Sequence, residues 1–131
     1  MYKTIFCQIS PFISDTDVSF VANDKVNNNA DNIEHALRQM VESIYQQKKL
    51  SSLSLANEPS QLLVNISTAV DNFNLSDYER IITSLKTLYD SKIEIIAFNV
   101  MKDELGQDIE LTIIAQYKFQ IDSDLLPKSH D

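Results

Sequence analysis

An α/β two-layer sandwich, with two helices on one face of a mixed four-stranded sheet in the order βαβαββ, is the fold this sequence predicts. Three observations predict it. Two segments carry apolar residues at the helical period, about four others are strand-like runs rich in β-branched and aromatic residues, and the two kinds alternate along the chain. At 131 residues the chain is long enough for one sizeable core, so residues 1–131 read as a single domain.

Residues 2–9 alternate loosely and carry the aromatic and β-branched side chains of a strand. Residues 10–30 differ. Pro11, Asp15, Asp17 and Asn27-Asn28-Asn29 interrupt any continuous apolar face, so this stretch reads as a long loop or insertion, with room for a short strand at residues 18–22. The first helix follows from Ile33, Ala36, Leu37, Met40, Val41, Ile44 and Tyr45, spaced as one apolar stripe. Asn29 or Asp31 can cap its start, and Lys48 and Lys49 in its last turn suit the helix dipole. Residues 51–60 connect to a strand at 61–69, whose apolar residues on both sides of the alternation mark it as interior.

The second helix opens at Ser76-Asp77-Tyr78-Glu79, a capping-box pattern in which the serine hydroxyl and the glutamate each satisfy an exposed backbone N–H. Tyr78, Ile81, Ile82, Leu85, Leu88 and Tyr89 form its buried stripe. Two apolar runs, 93–101 and 109–119, are then joined by residues 102–108 around Gly106, which reads as a hairpin tip. Residues 120–131 are polar and read as a flexible tail.

Composition excludes several functions. A net charge of -8 opposes binding to nucleic-acid phosphates and to anionic lipid, and no apolar run reaches the ~18 residues of a membrane span. The N-terminus lacks the features of a signal peptide, and a lone Cys7 suits a reducing cytoplasm, which is the expected location. Gly106 is the only glycine, so no glycine-rich phosphate loop can form and no nucleotide cofactor is expected.

One cysteine with His35 and His130 cannot build a common zinc site unaided. His35 falls on the polar side of the first helix and reads as solvated. The carboxylate pairs Asp15/Asp17, Asp103/Glu104 and Asp122/Asp124 all fall in expected loops, where acid–base work has no dry environment to tune it. No catalytic, cofactor or metal residue is assigned, and the chain is not expected to be an enzyme.

One feature asks for a partner. Ile93, Ile95, Ala97 and Met101 alternate with Ile96, Phe98 and Val100, so both faces of that strand are apolar. The helices can cover one face. The other, with Ile96, Phe98, Val100 and Ile114 as its candidate interaction residues, needs cover from the 10–30 loop, a second subunit or another protein.

The run 61–67, a helix, residues 93–100, then Asp103-Glu104-Leu105-Gly106 and Ile109-Glu110-Leu111-Thr112-Ile113-Ile114-Ala115 together resemble the C-terminal domain of FtsZ, the tubulin-like bacterial cell-division protein. The resemblance covers about residues 31–119 and is most specific from Glu104 to Ala115. It implies the same βαβαββ sandwich. It also implies a face that, in the family, packs against the nucleotide-binding domain. The family's glycine-rich nucleotide loop and its acidic synergy-loop motif have no counterpart here, and Asp15 and Asp17 do not take over that role.

The resemblance therefore implies a non-catalytic, stand-alone interaction or self-association module, with a tubulin-like protein or a second copy as partner and a link to cell division. The alternative is a small oligomeric enzyme or ligand-binding protein with sites between subunits. It requires Asp15, Asp17 and Asn27-Asn28-Asn29 to converge with Arg80 or Lys92. Met1 favours a chain read from its own start over a fragment.

Overall fold

The computed structural model describes residues 17–72 and 74–120. The strand expected at residues 2–9, with Cys7 and Asp15, lies outside the described residues, as do Asp122, Asp124, His130 and the rest of the tail beyond Gln120. Six elements make up the described fold. They are β1 (Asp17–Asn27), α1 (Ala30–Ser51), β2 (Gln61–Thr68), α2 (Leu75–Leu88), β3 (Glu94–Met101) and β4 (Asp108–Lys118), with short 3-10 turns at Val70–Asn72 and Asp103–Leu105.

The four strands form one mixed sheet in the order β1-β4-β2-β3, with β2 and β3 parallel and the other pairs antiparallel. The described residues follow the order βαβαββ, with β1 at 17–27 rather than the expected strand at 2–9 in first place, and both helices cover one sheet face. Leu37, Ile44, Ile81 and Leu85 from the helices meet Leu62, Val64, Leu111 and Ile113 from the central strands in the main core.

The short strand allowed at residues 18–22 is present and extends at both ends as β1, which corrects the loop reading over residues 17–27; residues 10–16 lie outside the described residues. Residues 17–27 pair with β4 along their whole length, from Asp17 opposite Lys118 to Asn27 opposite Asp108. The reason lies in their alternation. Val18, Phe20, Ala22 and Val26 pack against the core, while Asn23 and Lys25 between them are exposed at a sheet edge. Phe20 meets Tyr117 edge-on at 5.8 Å, and Gln47 of α1 donates to the Val21 carbonyl at 2.9 Å.

The asparagines close that end of the sheet. Asn28 donates from its backbone to the Gln107 carbonyl and from its side chain to the Asn72 side-chain oxygen. Asn29 caps α1, its side-chain oxygen accepting from the N–H groups of Asp31 and Asn32.

Helix ends and stripes differ from expectation in two places. The cap of α2 is Asn74, which accepts from both the backbone N–H and the hydroxyl of Ser76, so Ser76 lies inside the first turn rather than at the cap. Tyr45, counted with the apolar stripe of α1, is instead exposed. It lies one position round the helix from buried Ile44, beside Lys48, Lys49 and Leu53.

The hairpin is also corrected. β3 and β4 run antiparallel, but β2 lies between them: Thr68 has Met101 as its partner on one side and Ile109 on the other. Residues 102–107 therefore cross the end of β2. The Lys102 N–H donates to the Thr68 carbonyl at 2.8 Å on the way. Such a link must span two strand spacings, ~10 Å, which a tight hairpin turn does not.

Gly106 still has a backbone role. It sits at φ 58 and ψ -114, a region disfavoured for L-residues. Nothing lies within 4 Å of where a Cβ would be. Gly106→Ala should therefore cost only the conformational strain, ~1–2 kcal/mol, read as a lowered urea midpoint with an unchanged slope.

Candidate interaction face

The registers place side chains in rows across the sheet face remote from the helices. One row is apolar across all four strands: Val21 on β1, Ile114 on β4, Leu63 on β2 and Ile96 on β3. These residues, with Phe98, form a second apolar cluster separate from the main core. On one side of the row lie Ser19, Gln116, Gln61 and Glu94. On the other lie Asn23, Thr112, Asn65 and Phe98, then Lys25, Glu110, Ser67 and Val100.

The polar rows are tied together. Gln116 donates to the Asp17 carboxylate at 2.8 Å, and Gln61 donates to the Gln116 side-chain oxygen at 2.6 Å, linking three strands. Asn23 donates to Thr112, Asn65 donates to Ser67, and Lys102 pairs with Glu110 at 2.7 Å. These bonds fix the rim, since buried polar groups left unpaired would each cost ~1–3 kcal/mol.

The structure thus brings Ile96, Phe98, Val100 and Ile114 onto one face, but at different depths. Ile114 is 4% exposed and forms the floor with Leu63. Ile96 and Phe98 are half-buried, and Val100 is 42% exposed at the rim. Sequence reasoning missed Val21, which completes the row. Its alternation with Phe20 and Ala22 was the available signal, hidden by the polar residues of the same strand.

The other candidates are separated. Asp17 binds Gln116 at one end of β1, and Asn27 lies at the far end of that 11-residue strand, ~33 Å away for an extended chain. Arg80 pairs with Asp77 on α2, and Lys92 lies in the turn before β3. No convergence of these groups occurs within the described chain. Asp103 accepts from the Val70 N–H, and His35 is exposed.

A groove of about 460 Å³ between α1 and α2 is lined by exposed residues of both charge signs, among them Glu34, Arg38, Glu79 and Arg80. Among the described residues no group of three His, Cys, Asp or Glu side chains is placed to hold a metal ion. No described helix is long and apolar enough to cross a membrane.

No family model matches the sequence, and no curated protein matches it. Solved structures do match the fold. An FtsZ mutant of M. jannaschii aligns with a TM-score of 0.56 at 10% identity over 74% of this chain and 27% of that one. An empty FtsZ dimer from M. jannaschii gives 0.56 at 10% identity over 84% and 34%. The fold is FtsZ-like. Thiamine monophosphate kinase from Aquifex aeolicus also aligns, with a TM-score of 0.53 at 12% identity over 92% of this chain and 41% of that one. The chain spans about a third of the FtsZ chains it matches. Likeness at these identities shows the fold, and one fold serves unrelated activities.

Proposed function

We propose that this chain is a non-catalytic protein-interaction and self-association module that works through the sheet face opposite its helices. The observation that carries the proposal is the registered apolar row Val21, Ile114, Leu63 and Ile96, continued along β3 by Phe98 and Val100. An apolar row framed by hydrogen-bonded polar rows has the layout of a contact patch: a dry centre and a polar rim. The FtsZ-like fold and the resemblance from Glu104 to Ala115 support a tubulin-like polymer as a partner, with a role in cell division.

The test is sedimentation of the full chain, alone over a concentration series and with a purified tubulin-like protein. Val21→Glu places a charge in the apolar row. It is expected to weaken whichever association occurs by about tenfold or more, as loss of a contact worth ~1.4 kcal/mol would, while thermal melting remains cooperative. A chain that stays monomeric and leaves the tubulin-like protein unbound would remove the proposal.

A further inference from the structure

The two edges of the sheet are built differently. β1 carries Asp17, Asp24 and Lys25, and α1 sends Gln47 to its Val21 carbonyl. Charges and side-chain caps of this kind protect a strand edge from unwanted pairing. β3 has neither a charge nor a proline from Ile95 to Met101, and its one strand partner among the described residues is β2. A seven-residue edge without charge or proline, apolar except for Asn99, is a template for another strand.

The sequence of that edge is complementary to itself. For an antiparallel two-fold pairing about Phe98, residues whose numbers sum to the same value stand opposite one another. Ile96 then faces Val100 of the second copy and Ile95 faces Met101, apolar against apolar on both sheet faces. Glu94 faces Lys102 at each end of the strip, and the two-fold axis generates that opposite-charge pair twice. Lys102 holds Glu110 of its own chain, on β4 across β2, at 2.7 Å, so pairing between copies exchanges that contact for Glu94 of the second copy.

We infer that two copies of this chain pair through β3, antiparallel and centred on Phe98, into a continuous eight-stranded sheet. The inference rests on the self-association reading above and names its partner and register. Pairing in this way brings the Ile96, Phe98 and Val100 strips of the two copies side by side. The chain's net charge of -8 resists association in general, whereas this strip places equal numbers of acidic and basic groups opposite each other.

Charge reversal tests the register. Glu94→Lys and Lys102→Glu each set like charges opposite one another at both ends, and each alone should weaken the wild-type dimer by about tenfold or more in sedimentation equilibrium. Mixed in equal amounts, the two variants restore opposite charges at both ends and should form a heterodimer that neither makes alone. Circular dichroism melts confirm that each variant is folded.

Restoration on mixing supports the pairing. A dimer indifferent to both reversals but dispersed by Val21→Glu, three strands away, overturns it and leaves the face-mediated reading standing. A monomer at every concentration that still binds a tubulin-like protein does the same. A monomer that binds no such partner overturns both.

Discussion

Leu111→Ala is expected to lower the free energy of unfolding by about 2–5 kcal/mol, the usual cost of a buried leucine truncation in a core that cannot fully collapse. Leu111 is fully buried at the middle of β4, in register between Asp24 and Ile66, and packs into the core beneath both helices. β4 is the strand that joins β1 to the rest of the sheet, so a cavity there loosens the packing of three strands at once. Leu63→Ala removes the same atoms from the smaller cluster on the other face, where half-buried Val21, Ile96 and Phe98 have room to settle inward. Its cost should fall at the lower end of that range. Val100→Ala, at the exposed rim, should fall within ~0.5 kcal/mol. Urea unfolding of the three variants checks the order. Equal losses at Leu111 and Val100 would contradict the layering described above.

The helices were legible because each buries one stripe. Ile33, Leu37, Met40 and Ile44, and Ile81 and Leu85, are buried where the helical period puts them. The sheet was legible in its apolar strands and illegible in its pairing. Nothing local distinguishes a six-residue link that turns a hairpin from one that steps over a neighbouring strand. The difference lies in β2, more than thirty residues earlier, which occupies the place beside β4.

β1 was hidden for a related reason. An edge strand needs only one apolar face, and Val18, Phe20, Ala22 and Val26 supply it, but Asp17, Asn23, Asp24, Lys25 and Asn27 give the segment the composition of a loop. The candidate face was half legible. The doubly apolar run Ile95 to Val100 pointed to it. Register then assigned Ile114 to the floor, added Val21, and placed the polar rows that frame them.

Alkaline pH is expected to destabilise this protein through two tyrosines. Burial, then the charge of Glu58, pushes the Tyr117 hydroxyl from its usual 10.0 up to about 12. Burial, followed by Tyr117 and Glu58, raises Tyr89 further still. Below pH ~10 both hydroxyls hold their protons in the folded and unfolded chains alike, and their contribution is fully present. Above it the unfolded chain releases protons that the folded chain keeps, so the unfolded state is favoured increasingly as pH rises. For Tyr117 the loss continues until pH reaches about 12 and amounts to ~2–3 kcal/mol. Urea midpoints should therefore fall between pH 10 and 12, and ultraviolet titration should show tyrosinate forming late in the native protein.

Phenylalanine substitutions separate the two tyrosines. Tyr117 is 3% exposed and packs its ring against Phe20, with the Lys48 ammonium 4.9 Å from the ring centroid. Tyr117→Phe keeps those ring contacts and should flatten the alkaline fall. Tyr89 has a buried hydroxyl oxygen with no hydrogen-bond partner among the described residues. A buried polar group left unpaired costs ~1–3 kcal/mol, so Tyr89→Phe should be neutral or more stable at pH 7 and should also shallow the alkaline slope. A clear loss of stability in Tyr89→Phe at neutral pH would show that the hydroxyl is satisfied, and would reassign the alkaline transition to Tyr117 and the charges around it.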